Sequence, residues 1–215
     1  MIDKDLMFNA LLKYNGKLLI DSLIDNKEKA LSIYAEVKSS VILYQRIDNW
    51  KDIINLLEPV ESVKLLFSYY DFCFNIIHSL GGYIENIIGD EIIVIWDKNN
   101  DVASVQHACE VAKECYLQSK QIINKIDTRL DLEIVSGIHS GEIVVGNFGS
   151  SDRLFYRAIG DNIDTANKLM KLNSQYKTNV IISDKIINET HFEYRELDSI
   201  FIDNYKAIKI FELIE

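Results

Sequence analysis

The sequence predicts an α+β fold in which helices cover a mainly antiparallel sheet. Two patterns support this prediction. From residue 40 onward, short apolar runs alternate with longer stretches at helical spacing, and two of the apolar runs flank a Gly-Asp turn. The length of 215 residues, with nine glycines and a single proline, suits one globular domain with a short extension.

Composition and charge exclude several classes of protein. The chain has 23 basic and 33 acidic residues, and its formal charge of −10 repels nucleic acid and anionic lipid. No apolar run approaches the roughly 20 residues that span a bilayer, and the N-terminus lacks the layout of a signal peptide. We therefore expect a cytoplasmic chain without nucleic-acid or membrane partners. Cys73, Cys109 and Cys115 are too few and too irregularly placed for a disulfide framework, so we expect reduced core thiols.

The first 38 residues are predicted to be a helical extension of a domain that covers residues 39–215. Apolar residues recur there every three or four positions, as on one face of a helix. They are Leu6, Met7, Ala10, Leu11, Leu18, Leu19, Leu23 and Ile24. The extension is expected to serve as a packing or dimerisation element, or only to cap the domain.

The domain begins with a strand, a helix and a hairpin. Residues 41–44 are apolar and β-rich, and a helical pattern over residues 61–79 ends before a Gly-Gly pair, as helices commonly do. The runs 83–88 and 91–96 flank Gly89-Asp90, which predicts a β-hairpin with a two-residue turn.

The second half continues the alternation of helices and strands. Residues 102–126 are predicted to be helical, and a second hairpin is predicted from strands at 130–138 and 143–148. The remaining predicted elements are a helix at 161–172 and strands at 179–182, 194–202 and 207–213. This order is the ferredoxin-like βαββαβ plan with extra strands.

Four segments, in order and spacing, resemble the class III nucleotide cyclases, the adenylate and guanylate cyclase family. The hairpin from Gly81 to Trp96 is similar to the second metal-site hairpin of that family, and residues 40–50 lie where its first metal strand belongs. Residues 137–147 resemble its Gly-Ile-His-Ser/Thr-Gly strand pair, and residues 156–169 its Gly-Asp-x-Val-Asn-x-Ala-x-Arg-Leu segment. The resemblance covers residues 40–214 and implies the class III cyclase fold.

The resemblance also implies a chemistry and an assembly. In the family, two chains pair head to tail, and each active site lies across the interface. Two carboxylates hold two metal ions, which help the ribose 3′-hydroxyl to attack the α-phosphate and release pyrophosphate. The resemblance therefore implies a homodimer, or a heterodimer with another cyclase domain, and a nucleoside triphosphate ligand. Mg²⁺ or Mn²⁺ is the expected cofactor if the chain is active, and otherwise none.

The metal slots are only partly retained. The slot of the first carboxylate holds Arg46, and a guanidinium cannot ligate a cation. Asp48 lies two positions further on the same strand face and is a possible substitute, unless the chain bends into a loop there. Asp90 occupies the second slot, although Gly89-Asp90 taken alone would be an ordinary turn. An Arg46–Asp90 ion pair would mean that a protein cation has replaced the metal.

The nucleotide slots depart further from the family pattern. Ile47 and Asn49 fall in the phosphate-binding loop, where Asn49 replaces a glycine but tolerates a left-handed turn. The base-selecting slots hold Asn86 and Arg157, which either recognise a different base or are solvated surface residues. Asp203 stands where a phosphate-facing lysine is expected.

The transition-state slots, normally Asn and Arg four residues apart on one helix face, hold Asp164 and Lys168. Lys168 keeps a charge without the bidentate fork, and the Asp164 anion would repel a triphosphate. Alternatively, the two residues form a helix salt bridge. His139 is expected to be structural, since the four histidines are dispersed.

The sequence therefore predicts a catalytically silent or impaired cyclase domain, a pseudoenzyme, that acts as a dimeric signalling module and binds nucleotide. The alternative is an active pyrophosphate-releasing cyclase of unusual base specificity that makes a 3′,5′-cyclic nucleotide. A third interpretation is a purely structural dimer with an occluded pocket.

Overall fold

A computed structural model describes residues 3–15, 32–99, 103–123, 131–202 and 207–214. Five helices and eight strands follow one another along these ranges. The helices are α1 (Lys4–Asn15), α2 (Trp50–Ile54), α3 (Pro59–Ser79), α4 (Ser104–Ile123) and α5 (Asp161–Tyr176). The strands are β1 (Tyr34–Ile47), β2 (Tyr83–Ile88), β3 (Glu91–Asp97), β4 (Ile134–Gly149), β5 (Leu154–Ile159), β6 (Val180–Ser183), β7 (Tyr194–Phe201) and β8 (Ala207–Leu213).

The strands form one sheet in the order β2-β3-β1-β4-β6-β8-β7, with β5 paired to β4. The first four positions of that order are the ferredoxin-like arrangement, so the predicted α+β fold is confirmed. Strand β3 pairs antiparallel with both β1 and β2, and β4 pairs parallel with β6. The connection between the parallel strands β4 and β6 runs through β5 and α5.

The chain divides into two compact units, one made of residues 1–37 and 144–159 and the other of residues 38–143 and 160–215. The first unit contains α1 and the antiparallel pair of β5 with the second half of β4. Residues 34–37 of β1 also belong to the first unit, and the second unit contains the rest of β1 and of β4 with all the other helices and strands.

The second unit has hydrophobic clusters on both faces of its sheet. On β6, Val180 and Ile182 belong to the cluster that includes α3 and α4, whereas Ile181 belongs to the cluster with Leu169 of α5. This alternation follows from the two-residue period of a strand. Cys73, Cys109 and Cys115 are free and buried in the first of these clusters, as predicted.

Two predicted elements differ from the structure. The predicted N-terminal helix over residues 1–38 is helical at Lys4–Asn15, but residues 34–38 already belong to strand β1. The backbone of Tyr34 lies against Gly146 of β4, where an added Cβ would be 2.0 Å from the Tyr34 carbonyl oxygen. Sheet pairing therefore decides the conformation there, and local periodicity does not. Residues 16–31 lie outside the described residues.

The predicted hairpin over residues 130–148 is also wrong, because residues 134–149 form one continuous strand. Gly137 and Gly141 mark close packing against α5 and not a turn. A Cβ at Gly137 would be 2.2 Å from the backbone nitrogen of Met170, and one at Gly141 would be 2.3 Å from the Asn162 side chain. The actual hairpin partner of β4 is β5.

Within the described ranges, no helix is long and apolar enough to cross a membrane.

Candidate functional site

The Gly89-Asp90 turn is held between two tyrosine hydroxyl groups. Gly89 has a φ of 61°, a left-handed conformation that glycine adopts without steric cost. The Tyr70 hydroxyl donates to the Gly89 carbonyl, and the Tyr44 hydroxyl donates to a Glu91 carboxylate oxygen at 2.7 Å. Burial and the Glu91 carboxylate raise the pKa of Tyr44, so this phenol stays protonated at neutral pH. The tip of the hairpin is therefore fixed from β1 and α3.

Asp90 is half-buried and points toward the end of β1. One of its carboxylate oxygens accepts a hydrogen bond from the backbone nitrogen of Ile47 at 3.2 Å. Burial raises the pKa of Asp90, while this hydrogen bond and the charge of Arg46 oppose the shift. The structure thus brings together the three predicted site residues Arg46, Ile47 and Asp90.

The ion-pair partner of Arg46 is Asp48, and no ion pair with Asp90 is present among the described residues. The pair is partly shielded, since the Arg46 and Asp48 side chains are 24% and 18% exposed. The Ser174 hydroxyl lies 2.8 Å from both carboxylate oxygens of Asp48 and donates to that carboxylate. The Nε of Arg46 is buried without a hydrogen-bond partner. Arg46 at the end of β1 and Asp48 in the following loop are thereby joined to Ser174 in the C-terminal part of α5.

The residues present do not fit a two-cation centre. The side chain at the first slot is a cation with five N–H donors and no acceptor. The Asp48 carboxylate is occupied by Arg46 and Ser174, and one oxygen of Asp90 is occupied by the Ile47 amide. No cluster of three or more His, Cys, Asp or Glu side chains suited to a metal occurs in the described part of the chain. Asp48 therefore does not fit the predicted role of a substitute ligand.

Asn49 stabilises the loop after β1 in a way that the sequence did not predict. Its φ of −92° is not left-handed, although it stands in a glycine slot. Its side-chain nitrogen donates to the Asp131 carbonyl at 2.7 Å, and its side-chain oxygen accepts from the Glu133 backbone nitrogen at 3.3 Å. The Asp48 nitrogen donates to the Glu133 carbonyl at 2.7 Å. The loop is tied to the segment before β4 by three hydrogen bonds.

The two predicted base-selecting residues belong to different units. Asn86 lies on β2 immediately after a bulge at Glu85, and its side-chain oxygen accepts from the Ile87 nitrogen at 3.0 Å. Arg157 lies on β5 in register with Gly146.

The predicted Asp164–Lys168 salt bridge is absent from the ion pairs of the described residues. Lys168 instead donates to the carbonyls of Phe201 at 2.6 Å and Ile202 at 3.2 Å. It thus holds the end of β7, because carbonyl oxygens attract the ammonium as effectively as a screened helix neighbour. Asp164 lies in the first turn of α5, where the helix dipole favours a carboxylate, and its charge contributes to the raised pKa of Tyr44. Asp203 lies outside the described residues.

His139 is structural, as predicted. Its Nδ1 lies 2.7 Å from the Ser183 hydroxyl and its Nε2 3.1 Å from the side-chain oxygen of Asn162. Asn162 in turn donates to the Glu142 carbonyl at 2.7 Å. Both ring nitrogens are used within this network.

Sequence reasoning missed Ser174 as a member of the site. No local pattern marks it, since it is an exposed serine near the end of a helix and its bond to Asp48 joins residues 126 positions apart. Tyr44 and Tyr70 carried a weak signal, because aromatic residues on a strand and on a facing helix commonly bury their rings and hydrogen-bond their hydroxyl groups.

Comparison with known proteins identifies the same domain type over most of the chain. Residues 33–215 match the model of the family described as Adenylate and Guanylate cyclase catalytic domain. Adenylate cyclase 1 of Rhizobium meliloti is 31% identical over 134 residues, which are 60% of this chain and 20% of that protein. The adenylate cyclase of Anabaena cylindrica is 26% identical over 156 residues, which are 71% of this chain and 31% of that protein.

The fold is also found in a solved structure. A bacterial light-regulated adenylyl cyclase superposes with a TM-score of 0.84 at 20% identity, over 97% of this chain and 61% of the other. At this identity the likeness concerns the fold alone. The chain spans less than a third of the length of each of these two adenylate cyclases from Rhizobium meliloti and Anabaena cylindrica.

Proposed function

Because the chain belongs to the adenylate and guanylate cyclase catalytic-domain family, we propose that it is a cyclase domain with little or no 3′,5′-cyclisation activity that acts as a nucleotide-binding, dimeric signalling module. The observation that carries this proposal is the Arg46–Asp48 ion pair. Arg46 occupies the family slot for a metal-binding carboxylate. Its guanidinium charge is already neutralised by Asp48, the next carboxylate along the chain.

The other slots support impaired chemistry. Lys168 occupies the slot of an arginine that binds phosphate oxygens in the family, and here it donates to the backbone carbonyls of Phe201 and Ile202. Asp164 places a negative charge where an amide would orient the ribose. A transition state that gains negative charge requires donors and cations aimed at it, and both groups depart from that requirement.

Purified chain incubated with ATP, GTP, CTP or UTP and Mg²⁺ or Mn²⁺ tests this proposal. We expect no 3′,5′-cyclic product above the level of an Asp90→Ala variant, measured by chromatography and mass spectrometry. Product formation that Asp90→Ala abolishes would contradict the proposal.

A second candidate is an active cyclase of unusual base specificity, and the retained Asp90 at a fixed hairpin tip favours it. The same assay decides between the two, because an active enzyme would yield one cyclic product from one of the four triphosphates. A chain that neither binds nor converts any of them would fit the purely structural dimer.

Exposed apolar residues support self-association. Val60, Val63 and Phe67 of α3 are 67%, 50% and 65% exposed, and their three- and four-residue spacing places them on one face. The Tyr70 hydroxyl joins this helix to the hairpin, where Ile87 and Ile88 are also exposed.

Sedimentation equilibrium measures this association. We expect a dimer for the native chain and a shift toward monomer for Phe67→Glu, with Lys64→Glu as a control for charge on the same helix. A monomeric native chain would contradict the homodimer and leave the heterodimer with another cyclase domain.

Cytoplasmic location remains a prediction from the sequence.

A further inference from the structure

We infer that the Arg46 guanidinium acts as the built-in counter-ion of Asp48 beside Asp90, in the place of a divalent cation, so that the chain's own residues do not bind Mg²⁺ or Mn²⁺. The inference concerns the same residues as the proposed function and rests on it for the identity of the slots. Metal affinity is measured without turnover, so it is tested separately from cyclase activity.

The first support is the way in which the carboxylates are satisfied. Arg46 pairs with Asp48, and Ser174 donates to the same carboxylate at 2.8 Å. The backbone nitrogen of Ile47 donates to Asp90 at 3.2 Å. Asp48 and Asp90, the two carboxylates predicted as metal ligands, therefore already accept hydrogen bonds from groups of this chain.

The second support is the coordination chemistry. Mg²⁺ requires about six oxygen ligands at close to octahedral geometry and is usually held by at least one or two carboxylates that are free to bind it. Arg46 offers no acceptor atom, and its charge repels a second cation beside it. A cation that displaced Arg46 from Asp48 would leave a partly buried guanidinium unpaired, which is costly.

The charge count leads to the same conclusion. Arg46, Asp48 and Asp90 together carry a net charge of −1 when the carboxylates are ionised, whereas a carboxylate at position 46 would make it −3. The substitution Arg46→Asp thus removes the internal counter-ion and leaves three carboxylates that favour an external cation. Arg46→Asp is therefore expected to create metal binding at these three positions.

The experiment measures metal binding without any nucleotide. Mn²⁺ is titrated into the native 215-residue chain and into Arg46→Asp, free Mn²⁺ being followed by electron paramagnetic resonance. We expect at least about a 10-fold higher Mn²⁺ affinity for Arg46→Asp, and for this variant a rise in Tm of about 5 to 10 °C at a metal concentration about 100 times its Kd. The Tm of the native chain is expected to be the same in Mg²⁺ and in a chelator.

Two controls localise the effect. Arg195→Asp makes the same charge change at an arginine that pairs with Glu212 on the sheet, and it should leave Mn²⁺ affinity at the native level. Adding Asp90→Asn to Arg46→Asp should remove the gain in affinity. If Arg46→Asp fails to fold, Arg46→Gln removes the charge with little change in size and should raise Mn²⁺ affinity by a smaller factor.

Several results would overturn the inference. One is Mn²⁺ binding by the native chain that Asp48→Asn or Asp90→Asn weakens. Another is a folded Arg46→Asp or Arg46→Gln with native Mn²⁺ affinity, or a gain of the same size in Arg195→Asp. Metal binding by a native chain that makes no cyclic product would refute this inference alone, whereas cyclic product from a chain that binds no metal without nucleotide would refute the proposed function alone.

Discussion

Gly137 of β4 and Arg46 of β1 lie in the same unit and are constrained in opposite ways. A Cβ at Gly137 would be 2.2 Å from the Met170 nitrogen and 2.3 Å from the Ala166 carbonyl, so the backbones of β4 and α5 leave room only for a hydrogen atom. The Arg46 side chain is 24% exposed, and its guanidinium contacts the Asp48 side chain. The fold therefore fixes the residue at position 137 and leaves position 46 open to chemical change.

The contrast separates positions that the packing of the backbone fixes from positions that it leaves open. Positions where backbones touch tolerate no substitution without moving a helix or a strand. At a partly exposed position such as 46, a substitution costs little stability when the new side chain finds a hydrogen-bond partner. The variants below test this contrast, in order of decreasing expected effect.

The largest effect is expected for Gly137→Ala. The new methyl group overlaps backbone atoms of α5, so the helix must move away from the strand, at a cost of about 3 kcal/mol or more in the free energy of unfolding. Urea denaturation followed by circular dichroism measures the change. Gly81→Ala is the control, because Gly81 has a φ of 71° but no atom within 4 Å of the added Cβ, and backbone strain alone costs about 1 to 2 kcal/mol. Equal losses for the two variants would contradict the steric argument.

Asn173→Ala is expected to cost about 2 to 3 kcal/mol, because it leaves buried polar groups without partners. The fully buried Asn173 amide donates to the carbonyls of Ser136 at 2.9 Å and Met170 at 3.0 Å, and it accepts from the Thr178 hydroxyl at 2.9 Å. Ser174→Ala, at the next position, removes an exposed hydroxyl and should cost less than about 1 kcal/mol. Denaturation of the two variants gives both values, and a larger loss for Ser174→Ala would reverse the comparison.

Lys168→Met is expected to lower the free energy of unfolding by about 1 kcal/mol, since it releases the carbonyls of Phe201 and Ile202 to solvent. The matched control is Lys171→Met on the same helix, at an exposed position, with an expected change below about 0.5 kcal/mol. Thermal unfolding of both variants tests the difference. If Lys168→Met is as stable as the native chain, the bonds to the end of β7 contribute no stability.

The smallest effect is expected from Asp90→Asn, and its size depends on pH. Burial raises the pKa of Asp90 above its ordinary value of 3.8, so the native state favours the protonated form. The stability that this provides is complete below the ordinary pKa and is lost as pH rises through the native-state pKa. Asn cannot ionise and can still accept from Ile47, so the stability of Asp90→Asn relative to the native chain should increase between about pH 3 and pH 7, by less than about 1 kcal/mol.

Urea denaturation at several pH values measures this trend. Asp71→Asn, at an exposed carboxylate of α3, controls for the loss of one negative charge from a chain of net charge −10. A relative stability of Asp90→Asn that falls with rising pH would mean that the ionised carboxylate is the stabilising form.

The sequence predicted the local parts of this molecule well. The hairpin that presents Asp90 was placed correctly because a two-residue Gly-Asp turn between β-rich runs is a local signal. The interruption expected around His139 to Glu142 does not exist, because the glycines in that stretch serve the packing of β4 against a distant helix. Local patterns cannot distinguish a glycine needed for a turn from one needed for a close approach.

The sequence identified candidate site residues from the family pattern but did not predict their contacts. Ile47 donates to Asp90, and Arg46 is the residue immediately before Ile47. The partner of Arg46 is Asp48 and not Asp90, and Lys168 contacts carbonyls and not Asp164. The choice between nearby partners depends on side-chain geometry in three dimensions, which sequence spacing does not contain.

The link from Ser174 to Asp48 also has a consequence for the order in which the chain assembles during synthesis. Arg46 and Asp48 are two residues apart and can pair as soon as β1 leaves the ribosome, whereas Ser174 is 126 residues away from Asp48. At about 5 to 20 residues per second, Ser174 is made roughly 6 to 25 s later. Of the two partners of Asp48, Arg46 is therefore present in the growing chain well before Ser174, and the bond from α5 can form only after α5 has been made.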